Sequence, residues 1–221
     1  MLISMDSANF REISMGGIAP GILYRCNHPI YNGNQVNDII ISVTNAKIKT
    51  IINLSDNMLS LQSKASRCPW YEKMLADNNV IALNISMKFD IMAKGFINKI
   101  MQGMRFLIEH EPPYLIHCEA GMDRTGFLSI LLEAFMGAKF DDIVKDYMLS
   151  FVEDYKYSIK DYKTGSVFVR NLFSEIKRSI VSSNDDLQYL SSKYLTEKAG
   201  LGEKELMLIK DRLGDSYRHE A

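Results

Sequence analysis

Cys118 and Arg124, six residues apart, are the pair in this chain best suited to chemistry on an oxyanion. They sit in His117-Cys118-Glu119-Ala120-Gly121-Met122-Asp123-Arg124-Thr125-Gly126. A thiolate is a strong nucleophile once its charge is stabilised. A guanidinium carried back over it by a tight loop can bind two phosphate oxygens at once, a geometry lysine cannot match. The other expected phosphate donors are the backbone N–H groups of Glu119, Ala120, Gly121, Met122, Asp123 and Arg124. A loop that leads into a helix N-terminus aims its amides and the positive end of the helix dipole at an anion. Gly121 gives such a loop its sharp turn. Thr125 is expected to hydrogen-bond the sulfur and help it leave. His117 is expected to hold the loop through a hydrogen bond rather than to act as a base. The chemistry expected is displacement at phosphorus through a phosphocysteine, with no metal and no organic cofactor.

Such a loop has to be carried between a buried strand and a helix. Residues 114–117 (YLIH) form a short apolar run that ends at the cysteine, and residues 124–137 form a strongly apolar helix. Upstream, residues 21–24, 49–54 and 80–85 read as strands, with 49–54 rich in β-branched residues. Residues 36–46 carry helical spacing, residues 57–77 read as helix broken near Pro69, and residues 93–110 place Phe96, Ile100, Met104 and Leu107 on one helical face. Pro112-Pro113 ends that helix. From residue 141 onward the pattern is helical, near 141–150, 166–180, 185–197 and 203–213. The expected fold is α/β: one domain over residues 1–221, with a central, mainly parallel sheet flanked by helices. Extra helices make up the part from about 141 to 221.

Composition narrows the function further. With 221 residues, 47% apolar, 24% charged and a net charge of −1, the chain is an ordinary globular sequence with no global basic field for nucleic acid. Three dispersed cysteines, Cys26, Cys68 and Cys118, suit neither a disulfide scaffold nor a Cys-x-x-Cys metal site. Cys26 and Cys68 read as packing residues. The first residues lack the basic start of a signal peptide, and no apolar run is long enough to cross a membrane. A cytoplasmic protein without membrane insertion is expected, with secretion by a non-standard export route as the alternative. The oligomeric state is open.

The His-Cys-x5-Arg-Thr segment resembles the signature of the cysteine-dependent protein tyrosine phosphatase superfamily. Asn9-Phe10-Arg11-Glu12, Pro20 through Arg25, Ile51-Ile52-Asn53-Leu54, Tyr194-Leu195 and Gly200-Leu201 through Leu213 are similar to blocks of the bacterial tyrosine-phosphatase-like and dual-specificity family. The resemblance implies a general acid on the loop after the strand that precedes the long helix. Asp90, in 86–90 and 28 residues before Cys118, matches that place. Two other carboxylates stay open as the acid: Asp123, which matches the Asp of myotubularin-type loops, and Asp56, which follows the 49–54 strand.

The family often has lysine where this chain has Met122, and aspartate where it has Asn53. Lysine at the first position accompanies phosphoinositide substrates, so the resemblance implies a phosphorylated protein, tyrosine or dual-specificity, as substrate. His-Cys-Glu-Ala-Gly is shared with bacterial cysteine phytases, which keeps inositol phosphates as an alternative. An inactive phosphate-binding module is the alternative from a different class. Lys88 and Lys94 read as solvated loop residues, with further phosphate contacts as the rival reading. Arg11 and Arg25 read either as supports of the site or as ordinary paired residues. Tyr147, Tyr155, Tyr157 and Tyr162 read as a packing face, with an aromatic wall near the substrate as the alternative.

Overall fold

The computed structural model describes residues 9–30, 36–151 and 159–215. Their sheet has five strands: β1 (Arg11–Ile13), β2 (Leu23–Cys26), β3 (Thr50–Asn53), β4 (Val80–Ala82) and β5 (Tyr114–His117). The order is β1-β2-β5-β3-β4, with β1 antiparallel to β2 and every other pairing parallel. The mainly parallel α/β sheet expected from the alternating pattern is therefore present. The strand for 21–24 lies two residues further on. The short β1 was not anticipated, because three residues carry no readable alternation.

Strand alternation distributes the core over both sheet faces. Tyr114 and Ile116 of β5 face one side with Ile52 and Leu23; Leu115 faces the other with Ile51 and Cys26. The second side is covered by helices α1 (Val36–Asn45), α2 (Met58–Ala65) and α3 (Pro69–Ala76). Pro69 is the first residue of α3, where its missing N–H costs nothing, so it starts a helix and the break falls at 66–68.

The first side holds α4 (Lys94–Glu109) and α5 (Asp123–Phe135). Every residue of α5 from Arg124 to Phe135 is buried, which is why its apolar residues show no single face. Helices α6 (Phe140–Leu149), α7 (Ile159–Ser179), α8 (Leu187–Lys193) and α9 (Glu203–Leu213), with a π-helical turn at Tyr194–Lys198, enclose it. Their buried side chains share the core of the sheet. Tyr155 and Tyr157 lie outside the described residues; Tyr147 is in α6 and Tyr162 in α7. Among the described residues no helix is long and apolar enough to cross a membrane.

Candidate active site

The register of the parallel strands sets the position of the site. Cys26 of β2 and Asn53 of β3 both pair with His117, so three strands end together beneath the loop 118–122. The carboxyl end of a parallel sheet is where open α/β folds bind ligands. Gly121 has φ +68, and a Cβ there would lie 2.5 Å from the carbonyl oxygen of Cys26. No side chain fits this turn.

The loop carbonyls are tied to the scaffold. Gly121 O accepts from Arg25 Nη2 at 2.9 Å and from Asn9 Nδ2 at 3.1 Å. Glu119 O accepts from the His28 N–H at 3.0 Å, and Met122 O from the Gly126 N–H at 2.7 Å. Cys118 O lies 3.3 Å from His117 Nδ1. In a trans peptide the next residue's N–H points opposite the carbonyl. The N–H groups of Glu119, Ala120, Met122 and Asp123 are therefore turned away from the scaffold, into the loop.

Cys118 is only 1% exposed and Arg124 5%. The Arg124 guanidinium is oriented by one bond, Nη1 to Ile85 O at 3.0 Å. Its Nε and Nη2 are buried and have no hydrogen-bond partner among the described residues. Glu119 Oε2 stands 4.0 Å from Nη2, on a carboxylate whose side chain is 73% exposed. A buried guanidinium fork with two uncommitted donors, on the helix that follows the cysteine loop, suits a tetrahedral oxyanion. Thr125 Oγ1 and Ser129 Oγ are likewise buried without a hydrogen-bond partner among the described residues, so the expected bond from Thr125 to sulfur is not formed here.

Behind β5 runs a buried polar chain that local sequence did not announce. Asn53 Nδ2 donates to Tyr71 OH (3.2 Å) and to Asp56 Oδ2 (2.9 Å). Tyr71 OH lies 2.8 Å from His117 Nε2, and His28 Nε2 lies 2.6 Å from Asp56 Oδ2. The Ile30 N–H donates to His28 Nδ1. That nitrogen must be the acceptor, so Nε2 carries the proton and neutral His28 donates to ionised Asp56. Burial pushes the pKa of His117 well below the ordinary histidine value and lowers that of His28. Burial would raise Asp56, but bonds from His28, Asn53 and Lys64 outweigh it and hold the carboxyl well below the usual range. Asp56 is thus an acceptor locked in the lattice, poorly placed to donate a proton.

Asp90 is exposed, and its Oδ1 accepts from the Met92 N–H at 2.8 Å. The neighbouring Phe89 stacks on Phe96 and meets Phe127 of α5 edge-on. Tyr194 OH donates to Ile91 O at 2.7 Å. Together with the Arg124–Ile85 bond, these contacts lay the Asp90 loop along the first turns of α5. Asp123, also exposed, opens that helix. Its charge acts on Tyr147, whose hydroxyl is pushed up to about 12, first by burial and then by Asp123. Lys88 and Lys94 are exposed on the Asp90 side.

On the opposite flank, Arg11 and Arg25 share Asp146 of α6: Arg11 Nε donates to Oδ1 at 2.8 Å and Arg25 Nη1 to Oδ2 at 2.9 Å. Ser150 Oγ accepts from both guanidinium groups. All three cysteines are free and buried.

The tyrosine phosphatase family model matches residues 6–215. No curated protein matches the chain in sequence. Among solved structures the chain is similar to TpbA of P. aeruginosa, at 16% identity over 84% of this chain and 92% of that one, TM-score 0.48. It is also similar to the core catalytic domain of the PP-IP phosphatase SIW14 from S. cerevisiae, solved with citrate, at 16% identity over 77% and 91%, TM-score 0.43.

Proposed function

The chain belongs to the tyrosine phosphatase family, and from that premise we propose that it hydrolyses phosphoric monoesters through a phosphocysteine on Cys118, with a phosphorylated protein as substrate. The single observation that carries this is the Arg124 guanidinium: buried, aimed by Ile85 O, and holding two uncommitted donors beside inward-turned loop amides. The Cys118 thiolate attacks phosphorus in line as the ester P–O bond breaks. Asp90 gives its proton to the departing oxygen. Asp90, now a carboxylate, takes a proton from water as that water attacks phosphorus and the P–S bond breaks. Inorganic phosphate leaves and the thiolate is regenerated. The loop N–H groups and Arg124 hold the equatorial oxygens in both steps. The helical part after residue 141 belongs to the same phosphatase domain, since its side chains share the core of the sheet.

A single phosphate on a protein side chain fits this rim better than an inositol polyphosphate. Exposed Glu119 and Asp123 flank the loop, and Met122 supplies no charge. Two carboxylates at the mouth repel additional phosphates.

The test is phosphate release without added metal from p-nitrophenyl phosphate, phosphotyrosine and phosphoserine peptides, inositol hexakisphosphate and phosphoinositides. Wild type should turn over the aryl phosphates and Cys118→Ser none of them. Asp90→Asn should slow alkyl phosphates about a hundredfold and p-nitrophenyl phosphate much less, because nitrophenolate leaves unprotonated. Silence from reduced, folded wild type on every substrate would make this a phosphate-binding module. Fastest turnover of inositol hexakisphosphate would replace the protein substrate.

A further inference from the structure

We propose that Arg25 is a positioning residue for phosphate, acting through the Gly121 carbonyl, with Arg11 and Asp146 as the clamp that holds it. The inference rests on the phosphatase reading above.

Arg25 is fully buried, one residue before the end of β2. One end of its guanidinium binds Asp146 Oδ2, and the other binds Gly121 O and Ser150 Oγ, each at 2.9 Å. Its bond therefore lands on the one peptide of the loop that a positive φ forces into place. Pulling Gly121 O outward turns the Met122 N–H inward, toward the space Arg124 faces. A charged donor also polarises that peptide, strengthening its N–H as a donor to an anion.

The charge balance points the same way. Two buried guanidinium groups share one carboxylate, Asp146. Glu133 lies near both, but burial and the charge of Asp146 push its carboxyl well above the ordinary range, and its oxygens have no hydrogen-bond partner among the described residues. Burial and Arg11 lower Arg25 to about 10, which still leaves it charged at neutral pH. Among the described residues Asp146 is thus the one carboxylate that hydrogen-bonds the two guanidinium groups. As a purely structural device this is a poor choice, because apolar side chains of similar volume usually stabilise as well as a buried ion cluster. A guanidinium one hydrogen bond from a loop that receives a dianion has an electrostatic use instead.

The experiment measures inorganic phosphate and tungstate affinity by calorimetry in the Cys118→Ser background, and kcat and KM for p-nitrophenyl phosphate with Cys118 intact. Arg25→Gln should weaken both anions at least tenfold and lower kcat/KM about a hundredfold. Arg25→Lys keeps charge and volume but cannot grip Asp146 and Gly121 together. It should fold and still lose about tenfold in anion affinity, which keeps the proposal open to test if Arg25→Gln does not fold. Val169→Ala, a truncation of a buried α7 residue, controls for loss of stability. It should lower the melting temperature while leaving anion affinity unchanged. Wild-type anion affinity in a folded Arg25 variant, or an equal loss in Val169→Ala, would overturn the proposal. A wild type that binds phosphate but turns nothing over would overturn the phosphatase reading alone.

Discussion

At position 53 this chain has an asparagine where similar sequences often carry aspartate, and the structure gives the difference a chemical meaning. The Asn53 amide donates to Asp56 and to Tyr71 OH, while its Oδ1 accepts from the Ser55 and Asp56 N–H groups. Only a side chain with both a donor and an acceptor can do this. Asn53→Asp removes both donated bonds and sets a second carboxylate against Asp56. It should cost about 2–3 kcal/mol at pH 7, with part of the loss recovered at pH 5 as one of the paired carboxyls takes a proton. Urea unfolding at the two pH values reads this out. An unchanged midpoint at both would mean the Asn53–Tyr71–His117 chain does not hold the loop. Arg124 and Cys118 could be picked out from residue type and spacing alone. Asn53, Tyr71 and His28 could not, since their bonds reach across 3 to 46 positions with no local pattern.

Among elements, the π-helical turn Tyr194–Lys198 does something its sequence only hinted at. Tyr194 is buried against Phe127, and its hydroxyl ties the C-terminal helices to the Asp90 loop through Ile91 O. Tyr194→Phe keeps the ring and removes the tie. Stability should fall by about 1 kcal/mol, and kcat on an alkyl phosphate should fall severalfold, with p-nitrophenyl phosphate nearly unaffected. Equal losses on both substrates would disconnect this turn from the acid loop. The close approach of α6 to α5 is a second decision taken between elements. A Cβ on Gly126 would lie 2.8 Å from the Tyr147 ring, so glycine is what lets α6 bring Asp146 near Arg25.

For the whole molecule, buried titratable groups set a stability profile with two limbs. The folded-state pKa of Glu133 lies well above its unfolded value. Above about pH 4.3 the unfolded chain ionises this group and the folded chain does not, so stability falls with rising pH at up to about 1.4 kcal/mol per unit. His117 lies well below its unfolded value and His28 is lowered too. Below about pH 6.5 the unfolded chain binds these protons and the folded chain resists them, so stability falls as pH falls. Asp56 and Asp146 are depressed, and their contribution, present above about pH 3.9, is lost as pH drops further. Between pH 6.5 and 4.3 the histidines and Glu133 oppose each other. Melting temperatures should therefore fall on both sides of that window. Glu133→Gln should flatten the decline on the alkaline side of that window and leave the loss below pH 4 intact. A wild-type curve that rises from pH 6.5 upward would contradict a buried Glu133 whose pKa is raised by folding.

The sequence by itself determined the α/β class, the strand–loop–helix around Cys118 and the six-residue spacing from Cys118 to Arg124. Each of these depends on neighbours within about ten residues, where periodicity and turn chemistry are legible. The family-like blocks at Asn9–Glu12 and Pro20–Arg25 were visible too, but not their purpose. Only the tertiary structure decided that Asn9 and Arg25 hold the Gly121 carbonyl, that Ile85 aims Arg124, and that Asp56 is locked to His28. The physical reason is that a loop of five residues has too few internal partners for its own carbonyls. Those partners come from segments up to 112 positions away, and no local pattern encodes which of them arrive.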